Sequence, residues 1–505
     1  MNDVQAVQIT TAPLGWQLVV AVARDRRPLE LSGDVRERIA AARQVVEKIA
    51  RSDKPHYGIN TGLGALCHVV LKNDELARLS RHTLMSHACG VGEALRGEQV
   101  RAIMCCAVAN YSQGHSGISP HIVDALVECL NHDIIPVVPA QGSVGYLSHM
   151  AHIGLALIGE GEVLHRGQRR SAEQALAEEN IAPAALGPKD GLSLVNGTPA
   201  MTGLACLALA DTEQLANWAD TISAMSFEAL RGQRDAFDDA VIRLKAQPGI
   251  QTSARHLRHM IEGSEWLEQC HADHLQDALS LRAIPQVHGA CRDQFNHAAR
   301  QIDGELNSAT DNPLVIATQD GHRIVSQANP HGASVAMACD LLAIAVCEWS
   351  SISERRSYRL VTPQANQLPP FLSEASGVKS GMMIAQYSAA SLVADNKRLA
   401  QPAVTDNYLT SGLQEDHLSL GESAALKLDQ ALSNGFHVLG IEYLLAGQAL
   451  DLIEGSCFGH GTEEARSHLR HHIDFYDEEH PLHRDMAAAS QLLRSTSLTS
   501  NSGAI

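Results

Sequence analysis

From about Leu192 onward the chain reads as a succession of long Ala- and Leu-rich segments with helical periodicity. They cover about 199–231, 285–305, 333–360, 378–400 and 417–451, separated by loops carrying Gly, Pro and Asn. Helices of that length bury their apolar stripes by packing side by side, so the pattern predicts a helical bundle. Only 4% of the residues are aromatic, so Ala, Leu, Val and Ile must fill the core. The expected fold class is all-α: a long central bundle with a smaller, mixed but mainly helical N-terminal domain.

The N-terminal part is less regular. Val4, Val7, Ile9 and Leu18, Val19, Val20 alternate enough to predict a short strand pair. A helix is expected from Ser32-Gly33-Asp34, with Val35, Ile39, Ala40 and Val46 on one face. Ser119-Pro120 predicts another helix start, carrying Ile122 to Leu130. Strand signals are few, at 162–170 and 313–326, and the small polar tail from 496 to 505 is expected to fray. The expected division is an active-site domain over 1–190 and a bundle with C-terminal helices over 191–505.

A formal charge of −18 argues against nucleic acid and anionic membranes as partners. The start, Met1 to Pro13, lacks the basic and apolar regions of a signal peptide. No run approaches the ~18 consecutive apolar residues of a membrane span. The 11 cysteines form no CxxC pair, and Cys105-Cys106 falls in an apolar run where buried thiols are expected. A reducing cytoplasm fits these features. His149/His152, His256/His259 and His271/His274 have helix-face spacing that could chelate zinc, but no third ligand joins them, so no metal is expected. The histidines at 468, 471, 472, 480 and 483 read as solvated surface. No Gly-x-Ser-x-Gly elbow or Ser-His-Asp order appears.

Three constellations could carry chemistry. Tyr57 heads a glycine-rich loop, Tyr57-Gly58-Ile59-Asn60-Thr61-Gly62-Leu63-Gly64, in which glycines permit close ligand approach. Taken alone, a tyrosine beside a turn reads as packing, and the loop lacks the Lys-Ser/Thr of a phosphate cradle. Ser86-His87 precedes a turn, where one histidine alone reads as a satisfied, half-buried ring. Arg282 ends Gln276-Asp277-Ala278-Leu279-Ser280-Leu281-Arg282, and a guanidinium can pair bidentately with a carboxylate.

Together these segments resemble the aromatic amino-acid ammonia-lyases, of the histidine ammonia-lyase type. The matches run in order from about 55 to 450: Tyr57 to Gly64, Ser86-His87, Gly142-Ser143-Val144-Gly145, Asn196-Gly197-Thr198 and Gln276 to Arg282. Glu305 to Leu314, Asn329 with His331-Gly332, Glu354-Arg355-Arg356, Gln386, Asn396-Lys397 and Gln414-Glu415-Asp416-His417 continue the series. The resemblance implies that Tyr57 removes the substrate β-proton, with Lys397 a candidate for holding it ionised. It implies that Arg282 and Asn196 orient the carboxylate, and that His87 and Glu415 hold an imidazole-type ring. Gln286 and Asn329 are further substrate-binding candidates. A homotetramer with each site built from three chains is implied as well.

The departures fall in one place. In the family Gly-Ser-Val-Gly is followed by Ala-Ser-Gly-Asp, whose Ala-Ser-Gly cyclises to an electrophilic methylidene-imidazolone. Here Gly145 runs straight into Tyr146, and Ala151-His152-Ile153 resumes the pattern as if three residues had been removed. Leu279 replaces the motif's tyrosine and Pro330 its phenylalanine. In the family these positions surround the electrophile. The expectation is therefore a lyase with no prosthetic group, acting on a zwitterion whose amine needs no electrophile. A trimethylated histidine such as ergothioneine meets that requirement, because it leaves as neutral trimethylamine. Its quaternary ammonium is expected near Gly145 and Tyr146, where the tyrosine ring could offer a cation–π contact. Two other readings stay open: a histidine ammonia-lyase whose modified tripeptide was left out of the written sequence, and a non-catalytic homologue.

Overall fold

The computed structural model describes residues 5–52, 54–62, 69–71, 73–269, 275–319, 321–374, 377–405 and 407–496. The chain opens with β1 (Val7–Ile9), α1 (Trp16–Ala23), β2 (Leu29–Leu31), α2 (Gly33–Ala50) and α3 (Asn73–His87). It continues through β3 (Val91–Ala94), α4 (Gly97–Ser112), α5 (Pro120–Asn131), β4 (Ile134–Pro136), β5 (Pro139–Gln141) and α6 (Ser148–Leu157). Next come β6 (Glu162–His165), β7 (Gln168–Ser171), α7 (Ala172–Glu178), α8 (Asp190–Val195) and the long α9 (Pro199–Ala229). Four short helices follow: α10 (Asp239–Ile242), α11 (Pro248–Met260), α12 (Glu265–Gln269) and α13 (Leu279–Arg282). After α14 (Ile284–Leu306) and the hairpin β8 (Leu314–Thr318) and β9 (Gly321–Val325) come α15 (Ala333–Val361), α16 (Met383–Leu399) and α17 (Gly421–Asp451). The chain closes with α18 (His460–Arg470) and α19 (His483–Ser495).

The fold is all-α in class, and the five long helices fall where the periodicity predicts them, as α9, α14, α15, α16 and α17. Two begin late. α16 starts at Met383 because Gly377 and Gly381 before it have positive φ, and α17 starts at Gly421 because Leu420 has φ +51°. The expected strand pair at the N-terminus is half right. β1 forms, but Leu18–Val20 lies in α1, whose buried Trp16, Val19, Val22 and Ala23 have helical spacing. The partner of β1 is β2, in parallel register from Val7↔Leu29 to Ile9↔Leu31.

Two compact units divide the chain, and both are discontinuous in sequence. One comprises Met1–Ala210, Ala299–Asp340 and Pro402–Leu426; the other comprises Asp211–Ala298, Leu341–Gln401 and Lys427–Ile505. The sequence reading placed a single contiguous boundary at 190/191. Within the first unit α4 is buried around its whole circumference from Gln99 to Ser112, which puts Cys105 and Cys106 in the core. Burial pushes the Cys105 thiol up to about 12. Helices α1 and α5 pack on α4, while α3, α6 and α8 pack on one another. Strands β4, β6 and β7 form a three-stranded antiparallel sheet, and β3 pairs antiparallel with β5.

The second unit has an apolar cluster around Phe227, Phe237, Leu257, Ile261, Leu281 and Ile284. It also buries ion pairs. Arg356 meets Glu442 at 2.6 and 2.9 Å, and Ser226 donates to the same carboxylate at 2.6 Å. Asp220 accepts from His288 and Arg292 at 2.7 Å each. Burial alone would raise the Asp220 carboxyl, but Arg292, His256 and His288 hold it well below the usual range. His468 is not simply solvated: it stacks on Trp218 at 5.8 Å, and burial lowers its pKa.

Two helical stretches, Asp190–Ala229 and Ala333–Val361, are long and apolar enough by length and composition to cross a membrane. Their apolar windows are 94% and 67% buried inside the protein, as core helices are. Among the described residues no group of three or more His, Cys, Asp or Glu side chains is placed to hold a metal ion; His271 and His274 lie outside the described residues.

Candidate active site

The Tyr57 loop follows α2 and is braced from within. Asn60 is buried; its Oδ1 accepts from His56 N at 2.7 Å, and its amide donates to the Ser52 and Lys54 carbonyls at 3.1 and 3.0 Å. Thr61 Oγ1 accepts from Gly58 N at 3.3 Å. Gly58 has φ +69°, and a Cβ there would lie 2.6 Å from the Leu192 side chain, so only glycine fits. Asn60, Thr61 and Gly58 therefore shape the loop, and Tyr57 at its head is half-buried. Leu63 and Gly64 lie outside the described residues.

The turn Gly142–Leu147 is built under tension. Gly145 has φ +135°, and a Cβ there would stand 2.2 Å from Ser419 Oγ. Val144 O accepts from Leu420 N at 3.0 Å, which ties the turn to the segment leading into α17. Ser143 Oγ accepts from Gly145 N at 3.3 Å and donates to Tyr146 O at 3.1 Å. Leu147 has φ +80° and ψ −68°, and Ser148 N donates back to Tyr146 O at 3.2 Å. That is a γ-turn of the rare hand, a conformation costing roughly 1–3 kcal/mol that surrounding structure must impose. Leu147 N is committed to Val195 O at 3.1 Å, and α6 begins at the next residue. The family's prosthetic group requires Ala-Ser-Gly after Gly145. The residues present here, Tyr146 and Leu147 in a closed γ-turn, do not fit it.

Tyr146 joins the turn to two other expected site residues. The Glu415 carboxylate and Tyr57 both lie near enough to its hydroxyl to act on its charge. Burial, then the Glu415 carboxylate, then Tyr57 all push the Tyr146 phenol well above its ordinary value. Tyr146 is therefore a neutral donor, not a base. Glu415 is held by Thr410, whose Oγ1 donates to Oε2 at 3.0 Å and whose backbone bridges to Glu415.

His87 ends α3. Its Nδ1 meets Thr83 O at 2.7 Å and Ser86 Oγ at 3.0 Å. Donation to the Thr83 carbonyl fixes the proton on Nδ1 and leaves Nε2 as an acceptor. The nearby His149 and His152 are absorbed locally: His149 Nε2 bonds Ala140 O at 3.0 Å, and His152 Nε2 accepts from Gly90 N at 3.1 Å.

Asn196 is held by an internal network. Its amide donates to Asp311 Oδ1 at 3.3 Å and Asn312 O at 2.9 Å, while Oδ1 takes Gly197 N at 3.2 Å. Asp311 is itself gripped by Lys189 at 2.5 Å, Ser193 at 2.9 Å and Ser116 at 2.6 Å, all buried. These bonds fix the Asn196 side chain against the Asp311–Asn312 segment. Asn329 is exposed and donates to Ala309 O at 3.0 Å; Pro330 beside it is buried. His331 and His417 form a pair, Nε2 to Nδ1 at 3.0 Å.

Three expected site residues belong to the second unit. Arg282, Gln286, Gln276, Asp277 and Leu279 line a groove of about 470 Å³. Arg282 Nε donates to Asp277 O at 3.0 Å, and the network orients the Gln276 amide oxygen onto the guanidinium, 2.9 Å from Nε and Nη1. Gln286 Oε1 is buried without a partner, and Leu279 is 63% exposed. Lys397 is an exposed residue near the end of α16.

Sequence reasoning missed Glu422, the second residue of α17. An acid in the first turn of a helix ordinarily complements the helix dipole from the surface. This one is 1% exposed, and neither carboxyl oxygen has a hydrogen-bond partner. No one-dimensional signal distinguishes the two cases.

The long-helix fold, tyrosine loop, glycine-bounded turn and arginine groove belong to a chain whose similarities are to carbon–nitrogen lyases of the ammonia-lyase kind. The family profile described as aromatic amino acid lyase matches residues 14–471. The histidine ammonia-lyase of Treponema denticola is 42% identical over 494 residues, 97% of each chain. That of Symbiobacterium thermophilum is 43% identical over 483 residues, 95% of each. Among solved structures, histidine ammonia-lyase from Trypanosoma cruzi superposes with a TM-score of 0.90 at 34% identity, covering 97% of this chain and 94% of that one. Ergothionase from Treponema denticola, an ergothioneine-degrading enzyme in complex with desmethyl-ergothioneine sulfonic acid, superposes at 0.92 with 32% identity, covering 97% and 99%. The chain belongs to the aromatic amino acid lyase family.

Proposed function

We propose that the protein is an ergothionase: a lyase that eliminates trimethylamine from ergothioneine to give thiourocanate, without an electrophilic prosthetic group. One observation carries the reading. Where the family's electrophile arises, Gly145 leads directly into Tyr146, whose phenol lies near Glu415 and Tyr57. An unmethylated ammonium is a poor leaving group and needs activation. A trimethylammonium cannot attack an electrophile, having no lone pair, and needs none.

In this mechanism the Tyr57 phenolate accepts the β-proton, a task that requires its pKa to be brought near the working pH. The C–H electron pair becomes the Cα=Cβ bond, and the Cα–N bond breaks with its pair leaving on trimethylamine. Arg282 pairs with the carboxylate. His87 Nε2, left as an acceptor, suits a ring N–H of the imidazole-thione, with Glu415 on the same ring. The neutral Tyr146 ring faces the ammonium, where cation–π attraction is worth ~0.5–2 kcal/mol. Lys397 stabilises ionised Tyr57. Gln286 and Asn329 complete the substrate contacts in a cytoplasmic homotetramer whose sites draw on three chains.

The test is trimethylamine release from ergothioneine, monitored beside thiourocanate absorbance. Release by the unmodified chain and its loss in Tyr57→Phe support the reading. No turnover of ergothioneine or of its sulfur-free analogue hercynine would leave a non-catalytic homologue.

A further inference from the structure

Glu422 and Ser419 leave three buried polar atoms without partners beside one turn: Glu422 Oε1, Glu422 Oε2 and Ser419 Oγ. Unpaired buried carboxyls are costly, and the second unit shows how the same chain avoids them, by placing arginines on Asp220 and Glu442. No such partner meets Glu422. The polar groups nearest it, its own backbone amide and the Ser143 hydroxyl, favour the ionised form but make no hydrogen bond of normal geometry to it, and the Ser143 hydrogen is directed to the Tyr146 carbonyl. The segment Ser419–Glu422 lies directly against the turn, as the Leu420 N–Val144 O bond and the Ser419–Gly145 approach demonstrate. Burial pushes the Glu422 carboxyl up to about 7. The other titratable groups on the elements around it include Tyr146 on the turn, His149 and His152 on α6, and Glu415, Asp416 and His417 on the loop before α17. None is a cation paired with Glu422 among the described residues.

We propose that Glu422 is the buried counter-ion of the substrate's quaternary ammonium, losing its proton as that cation docks on the Tyr146 turn and regaining it once the amine departs uncharged. The proposal rests on the trimethylammonium reading above. Arrival of a permanent positive charge lowers the cost of ionising the carboxyl, and by linkage ionisation tightens binding. The Ser143 hydroxyl, between the carboxyl and the turn, is the route for the proton to solvent. After C–N cleavage no cation remains, so Glu422 takes back a proton and the neutral amine is no longer held. Glu422 is thus a positioning and specificity residue. It selects for charge, and it does not touch the β-carbon.

The experiment uses the full-length chain carrying Tyr57→Phe, which binds ergothioneine without turning it over. Titration calorimetry in buffers of differing ionisation enthalpy counts protons released on binding. About half a proton is expected at pH 7, falling towards zero at pH 9, with the apparent Kd tightening several-fold between pH 6 and pH 8. Thiourocanate, which has no ammonium, should release none through this group. Adding Glu422→Gln should abolish both the release and the pH dependence of Kd. Loss of a protonated-carboxyl infrared band on ergothioneine binding reads the same event without that second substitution, should it impair folding. Equal proton release with and without Glu422→Gln, or an unchanged carboxyl band, overturns the inference while leaving trimethylamine release intact. Failure of the unmodified chain to release trimethylamine overturns the parent reading instead, and this inference with it.

Discussion

Glu422 stands apart from the buried carboxylates Asp220 and Glu442 in the second unit and Asp190 and Asp311 in the first: those are paired with cations, and Glu422 is not. In the second, Asp220 and Glu442 each meet an arginine at hydrogen-bond distance, and Asp220 is held ionised far below its ordinary range. In the first, Glu422 is as deeply buried, has no partner, and is pushed up to about 7. Fully matched charges lock helices together; an unmatched one is a cost that persists only where something else requires it. The strained Leu147 γ-turn, the tight Gly145 contact and the Tyr146–Glu415 approach lie in the same region as the unmatched acid. One region is finished as structure, and the other is arranged for a ligand.

This contrast can be broken by separating stability from chemistry. Tyr57→Phe should lower trimethylamine release by about 10²–10⁴-fold with a far smaller effect on the unfolding midpoint, because it removes the base and keeps the ring. Glu442→Gln should do the reverse, costing about 3–5 kcal/mol in urea unfolding by leaving Arg356 buried and uncompensated, with kcat of the folded fraction preserved. Glu422→Gln should stabilise the protein in a pH-dependent way. The folded-state value of about 7 lies above the ordinary 4.5, so the native state binds the proton more tightly and the destabilisation by Glu422 grows as pH rises from about 4.5 through 7. The variant should match the parent near pH 4 and exceed it at pH 8 by up to about 3 kcal/mol, measured by denaturant melts at both pH values. The smallest effect is expected of Tyr146→Phe: loss of the hydroxyl beside Glu415, about 1 kcal/mol, seen as a few-fold rise in KM with the ring retained.

Much of this was legible before any coordinates. Long helices announce themselves because a bundle imposes one period over many residues, so α9 and α14 fall within two residues of their expected bounds. The missing tripeptide was visible because the flanking motif resumes at Ala151. What escaped depends on burial and partners. Leu18–Val20 carries strand-forming residues, but packing turned it into a helix. Nothing in the sequence tells that the Asn196 amide reaches Asp311, which Lys189 holds in turn. Glu422 looked like an ordinary helix-start acid. A sequence records that a carboxylate exists, whereas its neighbours decide whether it is solvated, paired or stranded.

The central claim is elimination without an electrophile. Its most direct test incubates the purified chain with histidine, hercynine and ergothioneine side by side, reading ammonia and trimethylamine separately against the intact mass of the same preparation. The account expects an unmodified mass, trimethylamine from ergothioneine and no ammonia from histidine. Ammonia from histidine, together with a mass or near-UV absorbance that betrays a cyclised tripeptide, would contradict it.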